Sequence, residues 1–217
     1  MKPFSQWTIE EVEETFQLTQ ELESQRLQAW LQPQIVPTVQ ERAELDALHS
    51  KLVEHVYDWN EQELIVYFIG PLLTLVNFEG DTYQPFFGRE ISVNYDHERL
   101  SGVVDFMVAQ GRRSPKHPYF FIHEYKKEYD SSNDPLGQLL IAMVAAQLLN
   151  QDSHPIYGAY VIGRYWHFVM LEGSSYAVNP GYNAAREELF EIFGVLCKTR
   201  NLITQMAQGT IRSMKAD

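Results

Sequence analysis

Two stretches decide how this chain folds: Gly102-Val103-Val104-Asp105-Phe106-Met107-Val108 and, further on, Tyr119-Phe120-Phe121-Ile122-His123-Glu124-Tyr125-Lys126. Both are rich in the β-branched and aromatic residues that fill strands. The second is an unbroken apolar run of strand length ending in charge, the pattern of a strand covered on both faces. Each also carries a carboxylate where a core residue is expected. Period-two alternation puts Glu124 and Lys126 on one face of their strand and Tyr125 on the other.

Outward from these stretches the chain reads as helices, then strands, then helix, hairpin and helix, with no internal repeat. Residues 81–109 read as strands, with 89–95 alternating and 100–109 rich in Val and Phe, and residues 111–118 as an exposed connection. A polar linker over 130–135 leads into a helix over 136–150 with Pro135 at its first turn. Residues 157–171 read as a hairpin around Ile162-Gly163-Arg164, and 183–213 as a long closing helix. Before the strands, Thr8 with Glu11 opens an amphipathic helical arm over 8–31, ended by Pro33 and Pro37. A second helix is predicted over 39–57, with Leu45, Leu48, Leu52 and Val56 spaced by three and four. A third, 61–77, is apolar nearly all round and therefore buried, with Gly70-Pro71 bending or dividing it. The expected architecture is an α/β (α+β mixed-sheet) fold with a helical extension over 1–59 and a main domain over 60–217 that closes with a helix.

The 217 residues, 45% hydrophobic, suffice to bury a sizeable core. A lone cysteine, Cys197, excludes an internal disulfide framework. No basic-then-apolar leader opens the chain and no apolar run reaches the ~18 to 20 residues of a membrane span, so a cytoplasmic protein without a membrane partner is expected. The net charge of −12 argues against gripping nucleic acid by phosphate neutralisation alone. That acidity is concentrated in residues 1–84, which hold fifteen acidic and four basic side chains. Local basic clusters lie at Arg112, Arg113 and Lys116 and at Lys126 and Lys127.

Asp105 is hard to explain as packing, because a carboxylate in a central strand needs a partner or a metal. If the two strands are neighbours, Asp105, Glu124 and the backbone carbonyl of Tyr125 can hold one hard divalent cation, Mg²⁺ or Mn²⁺. Lys126 then stands beside the metal-bound water, an arrangement suited to phosphodiester hydrolysis. Glu63, on the third helix, is a further carboxylate for this set, and Gln138, at the start of the 136–150 helix, a polar contact to the strand or substrate. Simpler readings stand beside these: Glu63 as a helix-start carboxylate next to Asn60, Gln138 as a structural amide, Cys197 as a small buried hydrophobe, and His123 as a packed or hydrogen-bonded strand residue. No close histidine pair supports zinc, and no phosphate-cradling glycine loop is present.

With Val104-Asp105, Glu124-Tyr125-Lys126 and Gln138 in this order, the sequence over roughly 60–172 resembles the PD-(D/E)XK nuclease superfamily. The resemblance implies a restriction-endonuclease-like core of helix, three-stranded meander, helix and further strands. It also implies a metal-dependent site of Asp105, Glu124 and Lys126, with a helix glutamate matched by Glu63. Two letters depart from the pattern: Val104 stands where proline is usual, and Ala142 where one branch has tyrosine four residues after the glutamine. The resemblance implies a Mg²⁺-dependent nuclease acting on DNA. The alternatives are a nuclease-fold protein that no longer cleaves and serves as an interaction or structural module, and an unrelated α+β protein in which the motif is coincidental. A protein partner or a second copy of the chain docking on the N-terminal helices is a further expectation.

Overall fold

The apolar run around Ile122 is an inner strand of a mixed sheet, buried along nearly its whole length. In the computed structural model, residues 2–32, 35–96, 98–129, 134–152 and 154–214 are described. Their elements, in chain order, are a short 3₁₀ turn Phe4–Gln6, α1 (Ile9–Phe16), β1 (Thr19–Gln20), α2 (Gln25–Trp30), α3 (Val39–His55), α4 (Glu61–Leu64), a π-helical turn Ile65–Ile69, α5 (Gly70–Val76), β2 (Tyr83–Tyr95), β3 (Glu98–Gln110), β4 (Lys116–Lys126), α6 (Pro135–Asn150), β5 (Ile156–Ile162), β6 (Tyr165–Glu172), β7 (Ser175–Val178), β8 (Tyr182–Asn183) and α7 (Glu188–Met214). The fold is α/β, as the hydrophobic patterning predicts.

The eight-stranded sheet runs β1-β7-β6-β5-β4-β3-β2, with β8 on β6. Strands β2, β3 and β4 form an antiparallel meander, and α6 carries the chain across to β5, which lies parallel to β4. One core cluster joins the sheet to residues of α2 to α5 and α7. The other joins the opposite face to α6 and the N-terminal segment. Because α6 lies between the sheet and that segment, its residues from Gly137 to Ala146 are all buried, which is why its sequence shows no polar stripe.

The predicted single amphipathic arm over 8–31 is three elements. Helix α1 stops where Gln17 turns left-handed (φ 52°), and Thr19 and Gln20 then pair in parallel with Ser175 and Tyr176 of β7. The edge of β7 offers unpaired backbone groups, and pairing with them satisfies this segment where a continued helix would leave the edge open. The arm closes over its own domain: Val12 and Leu18 belong to the same core cluster as α6. Pro33, predicted to end the arm, and residues 130–133 of the predicted polar linker lie outside the described residues. The third helix is likewise divided as expected. Proline at 71 has no N–H and its ring crowds the preceding turn, and the helix widens to a π turn just before it, with the Gly70 N–H reaching the Ile65 carbonyl. Among the described residues no helix is long and apolar enough to cross a membrane.

Asp134 ties the two ends of the chain's main packing layer together. Its carboxylate accepts from the Gly137 N–H at 2.9 Å, capping α6, and from the Ile9 N–H at 2.7 Å, in the first turn of α1. Close approach here requires glycine at 137, since a Cβ would lie 2.6 Å from the Ile9 nitrogen. Replacing Asp134 by alanine leaves two helix-terminal donors unpaired and should cost about 2 kcal/mol of stability. Urea unfolding measures the loss, and amide exchange at Ile9 should rise with it.

Candidate active site

The β3–β4 ladder runs through Val108↔Phe121 and Met107↔Ile122 and ends at Phe106↔His123. One residue further on, the strands part. The Tyr125 N–H, which would otherwise lack a strand partner, donates to the Asp105 carboxylate at 2.7 Å. A residue's N–H and C=O point to the same side of its strand, so the Tyr125 carbonyl is also aimed at the gap opened beside Asp105. Asp105 is half-buried.

Glu124 and Lys126 share a face, as alternation requires, and their side chains meet at 2.6 Å. Both are buried, each 8% exposed. Tyr125 points the other way into the larger core, where its hydroxyl meets His123 Nδ1 at 2.8 Å. Burial drives the His123 imidazole down to about 3, so it is neutral and takes no part as an acid. Lys126 Nζ also lies 3.9 Å from Glu61, whose side chain is 38% exposed and marks the open side of the site.

The charges in this cluster shift one another. Burial, then the neighbouring Asp105 charge, pushes Glu124 up to about 7, although Lys126 pulls against both. Asp105 is raised as well, chiefly by burial, against the Tyr125 N–H and the Lys126 charge. For Lys126, burial disfavours the ammonium, but Glu124, Glu61 and Asp105 together outweigh it and hold the pKa above its ordinary value. A buried and a half-buried carboxylate thus stand beside one ammonium, a set with an excess of negative charge that a cation would neutralise.

The sequence-predicted residues divide. Asp105, Glu124, Lys126 and the Tyr125 backbone come together. Glu63 does not: its carboxylate accepts the Asn60 N–H at 2.9 Å while Asn60 Oδ1 accepts the Glu63 N–H at 3.0 Å, closing a capping box. The glutamate of the same turn that faces Lys126 is Glu61. A signal for this was present, because a cap residue followed three positions later by Glu reserves that Glu for the helix end. Gln138 is also drawn elsewhere, buried with Nε2 donating to the Ser5 carbonyl at 3.4 Å. Cys197 is a buried thiol pushed up to about 11, chiefly by burial, as the apolar helical context predicts.

Two residues that the sequence did not single out for the site extend it across the sheet. Tyr160 on β5 stands in register with Glu124, and His167 on β6 with Tyr160, their rings stacked at 4.5 Å. Burial and then Asp134 push Tyr160 up to about 12, so it remains an O–H donor. Among the described residues no three His, Cys, Asp or Glu side chains converge closely enough to hold a metal ion. The oxygen donors at the parting strands are the carboxylates of Asp105 and Glu124 and the neutral backbone carbonyl of Tyr125. No known protein-family model matches the chain, and no curated protein is significantly similar to it.

The like-charge arrangement has a direct test. Glu124 holds its proton in the folded state up to about 7, against 4.5 for an ordinary glutamate, so the folded protein carries the extra proton between those values and its stability falls as pH rises through that window. Carboxyl-carbon NMR of Glu124 should show a midpoint near 7, moving down in Asp105→Asn, where the neighbouring charge is gone. A midpoint at the ordinary glutamate value in both proteins would remove the coupling.

Proposed function

We propose that the chain is a Mg²⁺- or Mn²⁺-dependent nuclease that hydrolyses phosphodiester bonds of DNA at Asp105, Glu124 and Lys126, with Glu61 as the helix carboxylate. The observation that carries this reading is the meeting of two carboxylates and a lysine where β3 parts from β4, an opening in the sheet that regular pairing would close. The order of helix, antiparallel meander, helix and parallel strand is the order that the PD-(D/E)XK resemblance implies.

The donor set suits a hard cation. Asp105, Glu124 and the Tyr125 carbonyl are all oxygen donors, and Mg²⁺ is commonly held by one or two carboxylates, with water and substrate phosphate completing its shell. Once bound, such an ion polarises the phosphate and makes its water more acidic. Hydrolysis adds water to phosphorus, breaks the bond to the leaving sugar oxygen and passes a proton to that oxygen. Lys126, kept protonated by Glu124, Glu61 and Asp105, places positive charge where the phosphate gains negative charge. Glu61 limits the reach of the ammonium and sits on the exposed side, next to any entering substrate. Tyr160, in register with Glu124 on the neighbouring strand, adds a protonated hydroxyl to this face of the sheet.

One observation favours a second reading, a nuclease-fold protein that serves as an interaction or structural module: Lys126 is already engaged by Glu124 at 2.6 Å. Cleavage of plasmid and single-stranded DNA with Mg²⁺ or Mn²⁺ separates the two readings. A nuclease should lose about 100-fold or more of its rate in Asp105→Ala and in Lys126→Ala. Metal-binding calorimetry should show loss of the ion in Asp105→Ala, and the module reading follows if the wild-type protein cuts nothing. Glu61→Gln should lower the rate far more than Glu63→Gln, whose amide can still close the capping box.

A further inference from the structure

Beside the site, the segment before α4 and the segment after β4 form a recess of about 270 Å³ lined by Tyr57, Trp59, Asn60, Lys127 and Tyr129, with Asp58 and Glu128 at its walls. Asn60 immediately precedes Glu61, and Lys127 immediately follows Lys126. The recess therefore adjoins the lysine and glutamate of the site through the chain itself.

Its rings are displayed and held. Tyr57 and Tyr129 stack at 5.7 Å with their planes 23° apart. Tyr57 is 52% and Tyr129 73% exposed. Arg164, in the β5–β6 turn, donates to the Tyr57 hydroxyl at 2.6 Å and to Glu128 at 2.9 Å, and its guanidinium lies 5.0 Å from the Tyr57 ring centre and 5.2 Å from that of Tyr165. Glu128 in turn accepts the Arg164 N–H at 3.0 Å. That turn is built to approach closely: Gly163 has φ +54°, and a Cβ there would strike Glu128. The Tyr57 ring, on which Tyr129 stacks, is thus fixed before any ligand arrives, which lowers the ordering cost of stacking.

We propose that this recess is a nucleobase subsite, with Tyr129 as the open stacking face, and that it selects single-stranded DNA. The inference rests on the nuclease reading of the adjacent site. Charge decides the strand form. The recess offers one exposed lysine, Lys127, against Asp58, while Glu128 and Arg164 neutralise each other, on a chain with net charge −12. So little positive charge cannot hold a duplex by its phosphates. Aromatic stacking needs an unpaired base with a free face, which single strands present and duplexes hide.

The test is fluorescence anisotropy with a short labelled oligothymidylate, free and annealed to its complement, in Ca²⁺. The single strand should bind at least about tenfold more tightly than the duplex, and Tyr129→Ala should weaken it by about tenfold, as one lost base–aromatic contact implies. Tyr129→Trp should restore binding, and affinity should fall only weakly with added salt. Equal binding of duplex and single strand, no binding of either, or an unchanged affinity in Tyr129→Ala would each overturn the subsite. Mg²⁺ cleavage by the same proteins separates the two claims. Tyr129-dependent binding without cleavage keeps the subsite and removes the nuclease reading. Cleavage with Tyr129→Ala binding as wild type keeps the nuclease and removes the subsite.

Discussion

One hydrogen bond organises the middle of this molecule: the Tyr125 N–H donating to the Asp105 carboxylate where β3 and β4 separate. Strands that part inside a sheet leave backbone donors without partners, and a buried orphan is costly. Asp105 supplies the missing acceptor, but a carboxylate brings charge into a half-buried place. The rest of the cluster answers that charge. Lys126 counters it, Glu124 and Glu61 hold the ammonium, and burial together with the accumulation of acid raises Glu124. A neutral side chain at 105 would close the ladder's account of donors differently and leave Glu124 and Lys126 as an ordinary pair.

The cluster depends on elements distant in sequence. Glu61 reaches Lys126 only because α4 is seated against the sheet through Leu64, Phe68 and Leu72, all in the core that also contains Tyr125. On the opposite face, α6 is fixed by Asp134, which caps it and α1 together, and by the amide of Gln138 on the N-terminal backbone. The acidic N-terminal segment is thereby part of the sheet and of both cores. Its charge adds to the negative field of the molecule, which disfavours polyanions held by charge alone and gives stacking surfaces such as Tyr129 more weight.

The parts of the fold legible in the sequence are those set by local pattern. The unbroken apolar run of β4, the Val-rich β3, the Pro135 start of α6 and the turn at Gly163 each follow from residue type and spacing. The breaks in the N-terminal arm were not legible, because two residues of strand, Thr19 and Gln20, exist only by pairing with β7. The place of Tyr160 beside Glu124, and of His167 beside Tyr160, was equally hidden, since it is a matter of register between strands that alternation along one strand does not fix.

For the site, the sequence by itself determined that Asp105 is an anomaly in a strand and that Glu124 and Lys126 share a face, because the strand period alone dictates both. It also contained the capping pattern that assigns Glu63 to Asn60. Only the tertiary structure decided that Asp105 lies beside Tyr125, that Glu61 faces Lys126 and that Gln138 turns to Ser5. Those outcomes depend on which elements pack together and at what register, and a side chain's partner across space is set by the whole core.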